Sequence, residues 1–118
     1  MGLDLKLLPI ENEHTGDCYS HTILSCSRSL DLFDEIMQLP SIPLSEPIEC
    51  YLARSEYGGR CYNDVIDSDY GEPLKWIRVE ELWHLRIHKD VLDNFQNKAI
   101  WAYLNELPAG IKIVLFWC

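Results

Sequence analysis

The chain has 118 residues, 47% of them hydrophobic and 25% charged, with a formal net charge of −9. That length suits one globular domain, 1–118, large enough to bury a core without staples. A surface this acidic repels a phosphate backbone, and the ten Lys and Arg form no basic run, so direct nucleic-acid binding is disfavoured. The acidity fits solubility and a basic protein partner; DNA mimicry is a sharper form of that idea, and a plain solvated surface the simpler one.

No apolar run approaches the ~20 residues needed to span a bilayer. The opening "MGLDLKLLP" carries an acid and lacks a basic region and a cleavage site, and Lys6 stands where a myristoylation motif needs Ser or Thr. A cytoplasmic protein is expected, with no membrane partner. Cys18, Cys26, Cys50, Cys61 and Cys118 are odd in number and form no CxxC pair, which predicts reduced thiols and argues against a structural zinc site.

In chain order, Leu3, Leu5 and Leu7 alternate with Asp4 and Lys6, a half-buried strand ended by Pro9. Residues 10–18 read as a loop and "SHTILSC" (20–26) as a second strand. Ser29 is placed to cap a helix running to Leu39, with Leu30, Phe33, Ile36 and Met37 on its apolar face. Three prolines in "PSIPLSEP" then argue against regular structure. "IECYLAR" (48–54) is strand-like. Residues 55–73 look irregular, with Gly58-Gly59 able to turn a hairpin. "LKWIRV" leads into a helix over 79–88. A last helix spans Phe95–Leu107, with Ala99, Ile100, Tyr103, Leu104 and Leu107 facing the core and Trp101 at the margin. "IKIVLFW" is apolar on both faces and therefore central in a sheet. Together these predict an α+β domain with a mixed, mostly antiparallel sheet of about four to five strands and about three helices.

Few residues suggest chemistry. Glu80, His84 and His88 follow an i, i+4, i+8 line and are the weak candidates for a metal site. A zincin needs Glu immediately after the first His, where Leu85 stands, so a solvated polar face is expected instead. Ser20 and His21 point to opposite faces of a strand and make a poor nucleophile–base pair. "DVIDSDYGE" misplaces the glycine of a calcium loop, and no Walker loop or dinucleotide fingerprint is present. No cofactor is expected. The best binding candidates lie in 55–72, where Tyr57, Tyr62 and Tyr70 supply rigid contact area and Asp67 and Asp69 can steer a basic partner.

The segments "YGEPLKWI", "EELWHL", "DNFQNKAIWAYLNELPAG" and "IVLFWC", with "MGLDLKLLP", "SHTIL", "LFDEI" and "YLAR", resemble a set of small uncharacterised proteins encoded by tailed bacteriophages and prophages. The likeness spans most of the chain and departs from the set in 10–18, in 55–68 and at Arg78. It carries no catalytic residue. It implies origin, a small viral accessory protein made inside an infected bacterium. With the small size, the acidity and the failed catalytic motifs, the expectation is a non-enzymatic binder of a bacterial host protein in the host cytoplasm, such as a host-defence inhibitor. The alternatives are a small metal-dependent or hydrolytic enzyme using His21, His84 and His88, and a phage structural or assembly factor.

Overall fold

The computed structural model describes residues 4–10, 22–44 and 72–118 in full, and the backbone of 19–20, 48–54 and 60–65. The described elements are β1 (Leu5–Pro9), β2 (Tyr19–Ser20), β3 (Leu24–Ser25), α1 (Leu30–Met37), β4 (Ile42–Pro43), β5 (Ile48–Arg54), β6 (Arg60–Val65), β7 (Lys75–Arg78), α2 (Glu80–Trp83), a 3-10 turn (His84–Ile87), α3 (Lys89–Leu92), α4 (Phe95–Glu106) and β8 (Lys112–Trp117). This is the α+β architecture expected. Five strands form an antiparallel sheet in the order β3-β1-β8-β7-β4, and β2-β5-β6 form a second sheet, parallel between β2 and β5.

β8 is central, as its two apolar faces require. Its register against β1 (Leu5↔Trp117, Leu7↔Leu115, Pro9↔Ile113) gathers Leu5, Leu7, Ile113 and Leu115 on one face with Ile77 of β7. That face carries the helical layer, through Leu32, Phe33 and Ile36 of α1 and Ile100, Trp101 and Leu104 of α4. Phe33 meets Trp117 edge-on at 5.5 Å between ring centroids. The opposite face holds a smaller core of Leu8, Ile10, Leu74, Val114 and Phe116. Alternation along each strand thus feeds two cores at once.

Several expectations give way to tertiary packing. "PSIPLSEP" contains the two-residue strand β4, which pairs with β7; Pro43 is tolerated because β4 lies at the sheet edge, where its missing N–H breaks no ladder. The other edge is blunted at β3, whose Ser25 carbonyl accepts a hydrogen bond from Gln96 Nε2 at 2.6 Å. "SHTILSC" does not form one strand: Ser20 belongs to β2 and Leu24–Ser25 form β3, in different sheets. Part of the supposedly irregular 55–73 is β6, hydrogen-bonded antiparallel to β5, while Gly58-Gly59 lies outside the described residues.

The helices are rotated from their predicted faces. On α1, Leu32 is fully buried while Leu30 and Met37 stand 68% and 49% exposed. On α4 the buried set is Asn97, Ile100, Trp101 and Leu104, so Trp101 is central, whereas Ala99 and Tyr103 face outward. Residues 79–88 form no continuous helix. Burial recurs every third residue, at Val79, Leu82, Leu85 and again at Val91, a spacing that fits three residues per turn better than 3.6. His88 then takes an extended conformation (φ −62°, ψ 139°) that ends the turn.

One buried polar side chain among the described residues, Asn97, organises this layer. Its Oδ1 accepts from the Ser27 N–H at 2.7 Å, and its Nδ2 donates to the carbonyls of Ser27 (3.4 Å) and Asp90 (3.0 Å). Asn94 caps α4 by accepting from the Asn97 N–H, and donates to Ser27 Oγ. Ser29 caps α1 through Leu32 N–H and donates to the Asp90 carboxylate. The helices are further locked by two indoles: Trp101 Nε1 donates to the Leu82 carbonyl at 2.8 Å, and Trp83 Nε1 to the Leu104 carbonyl at 2.9 Å.

Two kinds of substitution separate these contributions. Leu104→Ala leaves a cavity and should cost ~2–5 kcal/mol. Asn97→Ala strands buried backbone groups of Ser27 and Asp90 and should cost at least ~2 kcal/mol, from the ~1–3 kcal/mol per buried group left unpaired. Urea denaturation measures both; losses under ~0.5 kcal/mol would mean the face or the network is misassigned.

Candidate functional site

An open cleft of about 530 Å³ lies between the C-terminal end of α1 and the 3-10 turn, lined by Glu35, Gln38, Leu39, His84, Leu85, Ile87 and His88. The break in 79–88 creates it. A continuous α-helix would carry His88 past His84 along one line, whereas the 3-10 turn and the extended residue 88 swing the imidazole toward α1. The two histidines therefore border the same cleft, but their acidic neighbour is Glu35 and not Glu80.

Glu80 points elsewhere. Its Oε2 accepts from the Gly110 N–H at 2.9 Å, at a turn where Gly110 adopts φ +92°, a conformation side-chain-bearing residues rarely take. The Oε1 atom is buried with no partner among the described residues. His84 is exposed. The His88 side chain is only 11% exposed, and its Nδ1 accepts from the Asp90 N–H at 3.0 Å, capping α3.

That cap decides the chemistry of His88. A backbone N–H is always a donor, so Nδ1 supplies its lone pair and the ring proton sits on Nε2, which faces Glu35 Oε2 at 3.7 Å. A neutral imidazole bound to metal through Nε2 must carry its proton on Nδ1. His88 can cap α3 or ligate through Nε2, and here it caps. Among the described residues no three His, Cys, Asp or Glu side chains are placed to share a metal ion.

Nucleophile chemistry is equally constrained. Burial pushes the Cys26 thiol up to about 12, leaving almost no thiolate at neutral pH. Asp90, the acid nearest the cap, is held by Ser29. The Arg28 guanidinium, paired with Asp4 at 2.9 Å, holds the Asp4 carboxyl below the usual range, but both lie on the outer surface.

His21, Tyr57, Asp67, Asp69 and Tyr70 lie outside the described residues, and Tyr62 falls on β6, where only the backbone is described. Sequence reasoning missed Glu35, Gln38 and Leu39 as neighbours of the histidines, because nothing local in "LFDEIMQL" announces what it packs against. A signal for the break did exist, in the every-third-residue recurrence of Val79, Leu82 and Leu85.

No family model matches the chain, and no curated protein or solved structure matches it. No helix among the described residues is long and apolar enough to cross a membrane.

His88→Ala should lower stability by ~0.5–2 kcal/mol through loss of the cap, and His84→Ala by less than ~0.5 kcal/mol. Zinc should leave the melting temperature of the wild type unchanged. A zinc-dependent rise that vanishes in the double variant would place a metal at the cleft. Iodoacetamide at pH 8 should spare Cys26 in the native protein and alkylate it after unfolding, as read by peptide mass spectrometry.

Proposed function

We propose that the chain is a small acidic bacteriophage accessory protein that binds and modulates a bacterial host protein in the host cytoplasm, without catalysis of its own. A component of host defence is the expected target. The phage assignment draws on the resemblance of the segments set out above.

One observation carries the binding reading. Of the cleft's polar side chains His88 is spent on the α3 cap, while the exposed rim sets the apolar Ile87 among Glu35, Gln38 and His84. Ile87 is 74% exposed at the lip, above Leu39 and Leu85. Such a surface gains by covering, since burying an Ile side chain is worth roughly 1.5–3 kcal/mol. Glu35 of α1 lines one wall, Asp31 and Asp34 lie on the same helix, and α1 contains no basic residue. A partner presenting an apolar anchor beside Lys or Arg fits this arrangement, with the net charge of −9 steering its approach.

Affinity purification from phage-infected bacteria, with quantitative mass spectrometry, tests the reading. A host protein should co-elute with the wild type and fall at least about tenfold with Ile87→Ser plus Glu35→Lys, a loss of ~1.4 kcal/mol or more. Circular dichroism of the variant should show an intact fold. Loss only with Tyr57→Ser plus Tyr62→Ser would move the contact to 55–72. Co-elution of virion proteins alone would favour an assembly factor, and a hydrolytic activity abolished by His84→Ala would favour an enzyme.

A further inference from the structure

His88 is placed for two roles that exclude each other. Its side chain is 11% exposed, and Nδ1 accepts the Asp90 N–H at 3.0 Å to cap α3. That bond needs the lone pair of Nδ1. An imidazolium has none to offer, because both ring nitrogens then carry protons. Yet the ring also sits between two carboxylates positioned to attract a positive charge. Glu35 Oε2 of α1 stands 3.7 Å from Nε2, and Asp90 Oδ2 of α3 stands 3.9 Å from Nδ1.

The remaining charged groups on these elements do not compete for the ring. His84 and Arg86 of the 3-10 turn, Asp34 of α1 and Asp93 after α3 are exposed, and Lys89 pairs with Asp31 at 3.4 Å. Helix α4 meets the junction through the uncharged Asn97. Asp90 already accepts from Ser29 Oγ, the hydroxyl that caps α1, which leaves Glu35 as the acceptor to hand.

We infer that His88 is a proton-operated catch: neutral, it caps α3; protonated, it releases the Asp90 N–H and binds the Glu35 carboxylate, joining the 3-10 turn to α1 across the cleft. Imidazole takes up its proton between about pH 8 and pH 5, where no other unperturbed side chain changes charge. The motion required is small, since Nε2 lies only about 1 Å beyond charge-assisted hydrogen-bond length from Glu35. The loss falls on α3, a four-residue helix with few bonds to hold its first turn once the cap is gone. This catch needs no partner and operates in the free protein.

Nuclear magnetic resonance of the isotope-labelled full chain, from about pH 8 to about pH 5.5, covers the range in which imidazole titrates. At the alkaline end, long-range nitrogen spectra should show His88 protonated on Nε2. As the pH falls, the Asp90 amide proton should move upfield with the same midpoint as the His88 ring. Its exchange protection should drop at least about fivefold, the size of a typical N-cap. Glu35→Gln should require more acid for both changes, because the ring then lacks a neighbouring carboxylate. His88→Asn, which caps without titrating, should keep the Asp90 N–H protected at every pH, and His84→Ala should leave the coupling intact. A His88 that stays neutral throughout overturns the proposal. So does a protonated His88 whose Asp90 N–H remains protected, an unmoved midpoint in Glu35→Gln, or a coupling that persists in His88→Asn or vanishes in His84→Ala.

Discussion

The side-chain amide of Asn97 is the constraint on which the helical layer depends. Buried among apolar side chains, it must satisfy its donors and acceptor within the protein. It does so by pairing with both backbone groups of Ser27 and with the Asp90 carbonyl. The loop after β3, the helix α3 and the first turn of α4 are thereby held at one point. Ser29 then follows from the placement of Ser27, and through Ser29 so does the start of α1, capped by the same hydroxyl that donates to Asp90. A purely apolar contact at this position would permit sliding; three directional bonds do not.

The cleft is a consequence of that arrangement. Once Asp90 is fixed, its N–H needs an acceptor, and His88 supplies one from the preceding residue pair. The extended backbone at His88 is the conformation of an N-cap, and it terminates the 3-10 turn and opens the space beside α1. Lys89 reaches Asp31 at 3.4 Å across the same junction, an exposed pair of modest worth that nonetheless matches the alignment of the two segments. Glu80 and His88 therefore have structural duties, at Gly110 and on the α3 cap, while His84 and Ile87 stand exposed at the cleft.

The two indole bonds illustrate how such a small layer is kept in register. Trp83 and Trp101 each donate to a carbonyl of the other's helix, at Leu104 and Leu82. Each of these carbonyls also accepts a backbone N–H, Leu104 from Leu107 and Leu82 from His84, so the indole fills the second lone pair. Using tryptophan there supplies apolar bulk and a donor together. With the core face of α4 committed in this way, its outward aromatic residues contribute nothing to the core.

Much of the architecture was legible from the chain alone. The alternation of Leu5 and Leu7, the doubly apolar run ending at Trp117, the Ser29 cap and the proline and glycine that close α4 are local signals. They work because strand pleat, helix periodicity and capping are set by nearest neighbours. The identity of the buried faces was not legible. α1 and α4 carry apolar residues in excess of one stripe, so Leu30, Met37, Ala99 and Tyr103 compete on equal terms with Leu32 and Trp101 until a sheet is present to choose. Asn97 reads as a solvated polar residue until Ser27 arrives from seventy positions away. The cleft joins Glu35 to His88 by the same means: contacts distant in sequence are decided by packing and by the need to satisfy buried polar groups, and neither is written in any short stretch of residues.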